Sequence, residues 1–192
     1  MEEFVKNELE SIKEPVKIRF SLTEKDNDLE GFLNNISKVN KLIVLENDTS
    51  LTEKPVFYIE KNGISVKFLG RITGGELKAF LESVKMVANN EYHISERILE
   101  FVEEVDKPVD VKVFVTTSCG WCPPAILKAV SFAIANPNIK VSIIECYSFP
   151  ELATKYNVSA VPKTVINDKV EFVGVKDDNE FFGYIIKALG EV

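Results

Sequence analysis

The chain has 192 residues, 45% apolar and 28% charged, with a formal net charge of −7. That length can bury ~70% of the surface its unfolded chain exposes, and the acidic balance excludes the clustered Lys and Arg that nucleic acid or an anionic membrane surface would require. No apolar run approaches the ~20 residues of a membrane span, and the acidic start Met1-Glu2-Glu3-Phe4 lacks the basic and then apolar character of a secretory signal, so a soluble, cytoplasmic protein is expected.

In chain order, Val5, Leu9 and Ile12 recur at helical spacing and predict a leading helix. The extended segment Glu14-Pro15-Val16-Lys17-Ile18-Arg19-Phe20-Ser21-Leu22-Thr23 follows, then a second helix with Leu29, Phe32, Leu33 and Ile36 on one face. A strand is expected over 41–46. Strands over 56–60 and 64–69 are joined by the turn Asn62-Gly63, whose residues suit a two-residue hairpin. A helix over 75–87 closes this half.

The pattern then begins again. Ile98, Val102 and Val105 mark a leading helix capped at Ser95, and Lys107-Pro108-Val109-Asp110-Val111-Lys112-Val113-Phe114-Val115-Thr116 repeats the earlier extended segment 93 residues on. A helix from about Pro123 carries Ile126, Leu127, Val130 and Ile134 and stops at Asn136-Pro137. After a strand over 140–146, Ser148-Phe149-Pro150-Glu151 has the form of a capping box that opens a short helix through Tyr156. Strands over 164–166 and 170–173 flank Asn167-Asp168, and a helix over 179–189 ends the repeat.

Each half therefore reads β-α-β-(α)-β-β-α behind a leading helix. A crossover helix between strands makes those strands parallel, and a hairpin adds antiparallel neighbours. The expectation is an α/β protein of two units, 1–88 and 89–192, with mixed sheets flanked by helices. The joining segment Asn89-Asn90-Glu91-Tyr92-His93 is short and polar, so the units should pack closely, as one continuous sheet.

The chemistry lies in the cysteines. There are three Cys and one His. No second Cys-x-x-Cys accompanies Cys119-Gly120-Trp121-Cys122, so neither a disulfide framework nor a four-ligand zinc site is expected, and no metal or other cofactor is called for. The pair falls between a strand and a helix. A sulfur at a helix N-terminus is favoured as thiolate by unpaired N–H groups and the helix dipole. Cys119 can then attack a partner's disulfide, and Cys122, one turn on, can attack Cys119 and release the reduced partner. Trp121 would offer an exposed aromatic contact to that partner. Ser159-Ala160-Val161-Pro162 precedes a strand; its proline either starts the strand or forms a cis peptide beside the cysteines that leaves Val161 free to pair with an incoming peptide. Cys146 reads as a small buried hydrophobe and His93 as a surface residue.

A strand, Cys119-Gly120-Trp121-Cys122-Pro123 opening a helix, and Val161-Pro162 ahead of a hairpin resemble the thioredoxin fold. Two such units in tandem are similar to the protein disulfide oxidoreductases of thermophiles, which are glutaredoxin-like, and to the N-terminal domain of the flavoprotein subunit of bacterial alkyl hydroperoxide reductase. The resemblance covers nearly the whole chain. It also rests on Lys155-Tyr156-Asn157-Val158-Ser159-Ala160-Val161-Pro162 and Gly74-Gly75-Glu76-Leu77. It implies a cis Val161–Pro162 bond and a thiol–disulfide oxidoreductase with Val161 and Pro162 at the substrate. The first unit departs from the tandem oxidoreductases: Cys119 falls on Asp26 and Cys122 on Leu29. One active and one vestigial unit is the pattern of the reductase domain. By that resemblance the chain would pass electrons from a separate flavoprotein reductase to a peroxiredoxin or another protein disulfide.

Proton handling is open between two residues. Where thioredoxins carry a buried Asp, six residues before the first Cys, this chain has Val113. Glu76 matches the family's Gly-x-Glu, which implies a carboxylate facing the cysteines, yet Thr73-Gly74-Gly75-Glu76 also reads as a capping box with Glu76 as its fourth member. Glu145 ends a strand, where a solvated carboxylate is the plainer expectation. An oxidase or isomerase that makes protein disulfides is the alternative function, and a docking module with idle thiols the third.

Overall fold

The computed structural model describes residues 2–190; Met1, Glu191 and Val192, at the outer ends of the two expected units, lie outside it. The first half comprises α1 (Glu2–Glu10), β1 (Val16–Ser21), α2 (Asn27–Val39), β2 (Ile43–Asn47), β3 (Val56–Lys61), β4 (Ile64–Leu69) and α3 (Gly75–Asn89). The second comprises α4 (Glu96–Glu103), β5 (Val109–Val115), α5 (Cys122–Ala135), β6 (Ile139–Glu145), α6 (Pro150–Lys155), β7 (Lys163–Ile166), β8 (Val170–Val173) and α7 (Asp178–Leu189).

The strands form one eight-stranded sheet in the order β2-β1-β3-β4-β6-β5-β7-β8. In each half the crossover helix gives a parallel pair, β1 with β2 and β5 with β6, and the hairpin gives antiparallel pairs. Asn62 (φ 49°) and Gly63 (φ 86°), and then Asn167 (φ 52°) and Asp168 (φ 53°), hold two left-handed residues in succession, as a type I′ hairpin turn requires. The halves join through parallel pairing of β4 with β6, from Val66 beside Val141 to Leu69 beside Ile144. This seam matters for function. It brings the C-terminal ends of β4 and β6 level, and β5 reaches the same level with Val115 beside Glu145.

Side chains alternate across the sheet. Phe57, Phe68, Val113, Ile143 and Ile166 belong to the main core, which also takes the buried faces of α1 to α5 and α7. Their neighbours Val56, Leu69, Phe114, Ile144 and Val165 form a second, smaller core covered by Phe149 and by Leu152 and Tyr156 around α6. Phe80 of α3 meets Phe57 and Phe68 edge-on, with ring centroids 5.7 and 5.1 Å away. In α2, Leu29, Leu33 and Ile36 are buried at their predicted spacing. No described helix separates β2 from β3; on that part of the sheet the Arg19 guanidinium lies 4.4 Å over the Tyr58 ring and pairs with Glu60 and Asp48. Among the described residues no helix is long and apolar enough to cross a membrane.

Two local expectations fail at the start of helices. The α6 N-cap is Phe149, with no side-chain capping bond. Ser148 is not a cap because its hydroxyl is committed elsewhere, to Glu145. The predicted box over 73–76 is also absent: α3 begins at Gly75 behind a Gly74 cap, and no side chain caps it. The genuine capping box lies at α7, where Asp177 and Glu180 satisfy each other's backbone N–H groups.

Candidate active site

The Cys-x-x-Cys motif of the second half sits where β5 gives way to α5. The Cys119 N–H donates to the Thr116 carbonyl and the Cys122 N–H to the Cys119 carbonyl, a turn that delivers Cys122 as the first residue of α5. Pro123 and Pro124 follow in the first turn, where a missing N–H costs no helical bond. Cys119 and Cys122 are joined as a disulfide with Cα atoms 5.4 Å apart. Their exposures differ: Cys119 is half-buried, Cys122 fully buried. Between them Trp121 is 72% exposed.

The Val161–Pro162 peptide is cis. Pairing of Lys163 with Phe114 sets Pro162 level with the end of β5, at the disulfide end of the sheet, and its carbonyl accepts from the Gly174 N–H. The first half keeps the same arrangement: Lys54–Pro55 is cis and the Pro55 carbonyl accepts from the Gly70 N–H. The sulfurs are what it lacks. Asp26, on the repeat position of Cys119, is buried; it accepts from the Thr23 N–H and hydroxyl and pairs with Arg71 at 2.6 Å.

The start of α3 lies against this site. A Cβ at Gly74 would stand 2.9 Å from the Thr117 carbonyl oxygen, and one at Gly75 3.4 Å from Pro123. Close approach of two backbones, with φ +59° at Gly74, explains the glycine at that position. Glu76 follows, 4% exposed, and its Oε1 has no hydrogen-bond partner among the described residues. It therefore does not cap its helix. Burial first, and then the charge of Glu145, push its carboxyl up to about 8.

Glu145 is not the solvated strand end expected of it. It is 4% exposed because β6 ends at the seam, with β4 on one side and β5 on the other. Its carboxylate accepts from the Tyr147 N–H (3.0 Å), the Ser148 N–H (2.7 Å) and the Ser148 hydroxyl (2.6 Å). Next to it Cys146 is free and half-buried rather than fully sealed; burial, then Glu145, push its thiol up to about 11. Local spacing in the sequence singles out neither Tyr147, 73% exposed, nor Arg71, and Ser148 reads there only as a helix cap. An aromatic just past the C-terminal end of a strand that neighbours the redox strand was the one available signal, for Tyr147.

Gly70 permits this packing. Its φ is +113°, and a Cβ there would stand 2.6 Å from the Glu145 Cβ and 3.0 Å from the Ser148 Cβ. Gly70→Ala should destabilise the protein by about 2–4 kcal/mol, measured by chemical denaturation; a loss below about 0.5 kcal/mol, typical of an unconstrained surface site, would contradict the close approach.

Comparison with known proteins agrees with this architecture. Residues 109–187 match the thioredoxin domain family. Over 185 residues the chain is 24% identical to the alkyl hydroperoxide reductase AhpF of Pseudomonas putida, an alignment that covers 94% of this chain and 36% of that protein. The chain thus spans about a third of the length of that relative. A protein disulfide oxidoreductase from Aeropyrum pernix superposes with a TM-score of 0.87 at 24% identity, over 98% of this chain and 92% of that one. The NTD_N/C domain of the Enterococcus faecalis AhpF superposes with a TM-score of 0.84 at 19% identity, over 96% and 97% of the two chains. The family match thus falls on the half that carries the disulfide, and the chain as a whole has a thioredoxin-like α/β fold, a mixed eight-stranded sheet flanked by helices.

Proposed function

We propose that the protein is a thiol–disulfide oxidoreductase that cycles between the Cys119–Cys122 disulfide and its dithiol. The observation that carries this reading is the asymmetry of the pair: a half-buried Cys119 that a partner can reach and a fully buried Cys122 at the first position of α5. In the reductive direction the Cys119 thiolate attacks the partner disulfide, a mixed disulfide forms, and one partner sulfur leaves as thiolate. Cys122 then attacks the Cys119 sulfur, the intramolecular disulfide re-forms, and the second partner sulfur leaves. Two electrons pass to the partner, and each departing thiolate takes up one proton.

In this reading Glu76 serves Cys122. When an electron donor opens the intramolecular disulfide, Cys122 leaves as a buried thiolate and takes the Glu76 proton; on re-oxidation the carboxylate takes it back. A carboxyl titrating at about 8 still holds that proton at neutral pH. Trp121, Val161 and Pro162 form the proposed partner-binding rim. The similarity to AhpF supports a flavoprotein reductase as donor and a peroxiredoxin or another protein disulfide as acceptor.

The reduction potential tests the direction. Equilibration with glutathione or dithiothreitol buffers should give a value near thioredoxin's, roughly −270 mV, as a reductant requires. Neither Gly120 nor Trp121 adds positive charge to favour the thiolate further. A value near roughly −120 mV would favour the oxidase, and a disulfide that no redox buffer opens would leave an idle module.

A further inference from the structure

Glu145 owes its place to both halves of the molecule. Its Oε1 accepts from the Tyr147 N–H, and its Oε2 accepts twice from Ser148. The Ser148 hydroxyl in turn accepts from the Arg71 N–H at 3.1 Å. The Arg71 side chain reaches back to the first half, pairing with buried Asp26 and with Asp28. The cysteine-less counterpart of the redox site is thus joined through Arg71 and Ser148 to the buried carboxylate of Glu145. Gly70, the residue before Arg71, keeps the seam tight enough for this relay.

The groups around the first turn of α3 leave Glu145 as the charge that acts on Glu76. The end of β6 presents Glu145 and Cys146; Cys146 carries a thiol whose charged form is disfavoured. From α5 come the disulfide sulfurs, and its first charged side chain, Lys128, is committed to Asp178. Arg71 is spent on Asp26 and Asp28. On α1, Glu8 pairs with Lys85 on a later turn of α3.

We infer that Glu145 is a positioning residue of the redox site, held by Ser148 and Arg71 so that its fixed charge keeps a proton on Glu76 while the disulfide is intact. The first half, without sulfur of its own, then contributes to the chemistry by anchoring that charge. This rests on the proposed role of Glu76.

The test is the pH dependence of the rate at which dithiothreitol opens the disulfide, normalised to the dithiothreitol thiolate present and read by alkylation and mass. The wild type should show an inflection that Glu76→Gln removes. Glu145→Gln removes a like charge at nearly constant shape, so the inflection should fall by about one pH unit. Ser148→Ala frees the carboxylate to turn away and should lower the inflection by less. In the Glu145→Gln background it should add nothing, because it acts through Glu145. An inflection that Glu76→Gln abolishes but Glu145→Gln leaves in place overturns the inference and spares the role of Glu76. An inflection that survives Glu76→Gln overturns both. If Glu145→Gln fails to fold, an unmoved inflection in Ser148→Ala is the overturning result.

Discussion

Cys119→Ser should abolish dithiol-dependent reduction of insulin or a peroxiredoxin, by roughly 10³-fold or more as for the loss of a nucleophile. Cys122→Ser should retain the first chemical step and lose the second. The reason is geometric. Cys122 is wholly enclosed, so a protein disulfide cannot reach it without unfolding the first turn of α5, whereas Cys119 is half-buried beside an exposed Trp121. With serine at 122 no internal thiol is placed to resolve the adduct, and the partner should remain on Cys119 as a mixed disulfide. Cys146 is an unsuitable substitute, since burial and the Glu145 charge disfavour its thiolate. Non-reducing gels and mass spectrometry would detect the adduct and identify the partner. Activity that survives Cys119→Ser, or an adduct that forms with Cys119→Ser and not with Cys122→Ser, would reverse the assignment.

The doubled topology was legible because it is written in local signals. Apolar residues at helical spacing, hairpin turns at Asn62-Gly63 and Asn167-Asp168, and repetition of the segment before each crossover helix all report on near neighbours in the chain. β4 and β8 fall on their predicted residues. The Cys119–Cys122 pair was legible for the same reason, since a strand, a turn and a proline-rich first turn fix its environment within a dozen residues. Glu76, Glu145 and Ser148 were harder because their surroundings come from the seam. Local spacing offered capping for Glu76 and Ser148 and solvent for Glu145. The parallel pairing of β4 with β6 instead closes β6 on both sides, buries Glu145 and turns Ser148 toward it. Arg71 carried no signal, because its partners Asp26 and Asp28 lie more than forty residues back.

A second large effect is expected on stability. Glu76 titrates at about 8 in the folded, oxidised protein and at its ordinary 4.5 when unfolded. Well below pH 4.5 both states hold the proton and the group makes no pH-dependent contribution. Between 4.5 and 8 the unfolded chain has released its proton while the folded one retains it, so the unfolded state binds fewer protons and stability falls as pH rises. Above 8 both are ionised and the full penalty, of order 5 kcal/mol from that shift, is in force. Glu76→Gln cannot ionise, and its buried amide, like the protonated carboxyl it replaces, lacks a partner, so its cost does not change with pH. The two stability curves should therefore diverge as pH rises. Glu76→Gln should gain on the wild type by about 4 kcal/mol between roughly pH 4.5 and pH 9, the part of that penalty incurred within this window. Urea denaturation of both oxidised proteins across this range isolates Glu76 and the groups coupled to it, Glu145 and Cys146, because the remaining titrating groups cancel in the difference. A difference that is flat from pH 4.5 to 9 would mean that the carboxyl is already ionised in the folded protein, and that it holds no proton to give Cys122 at neutral pH.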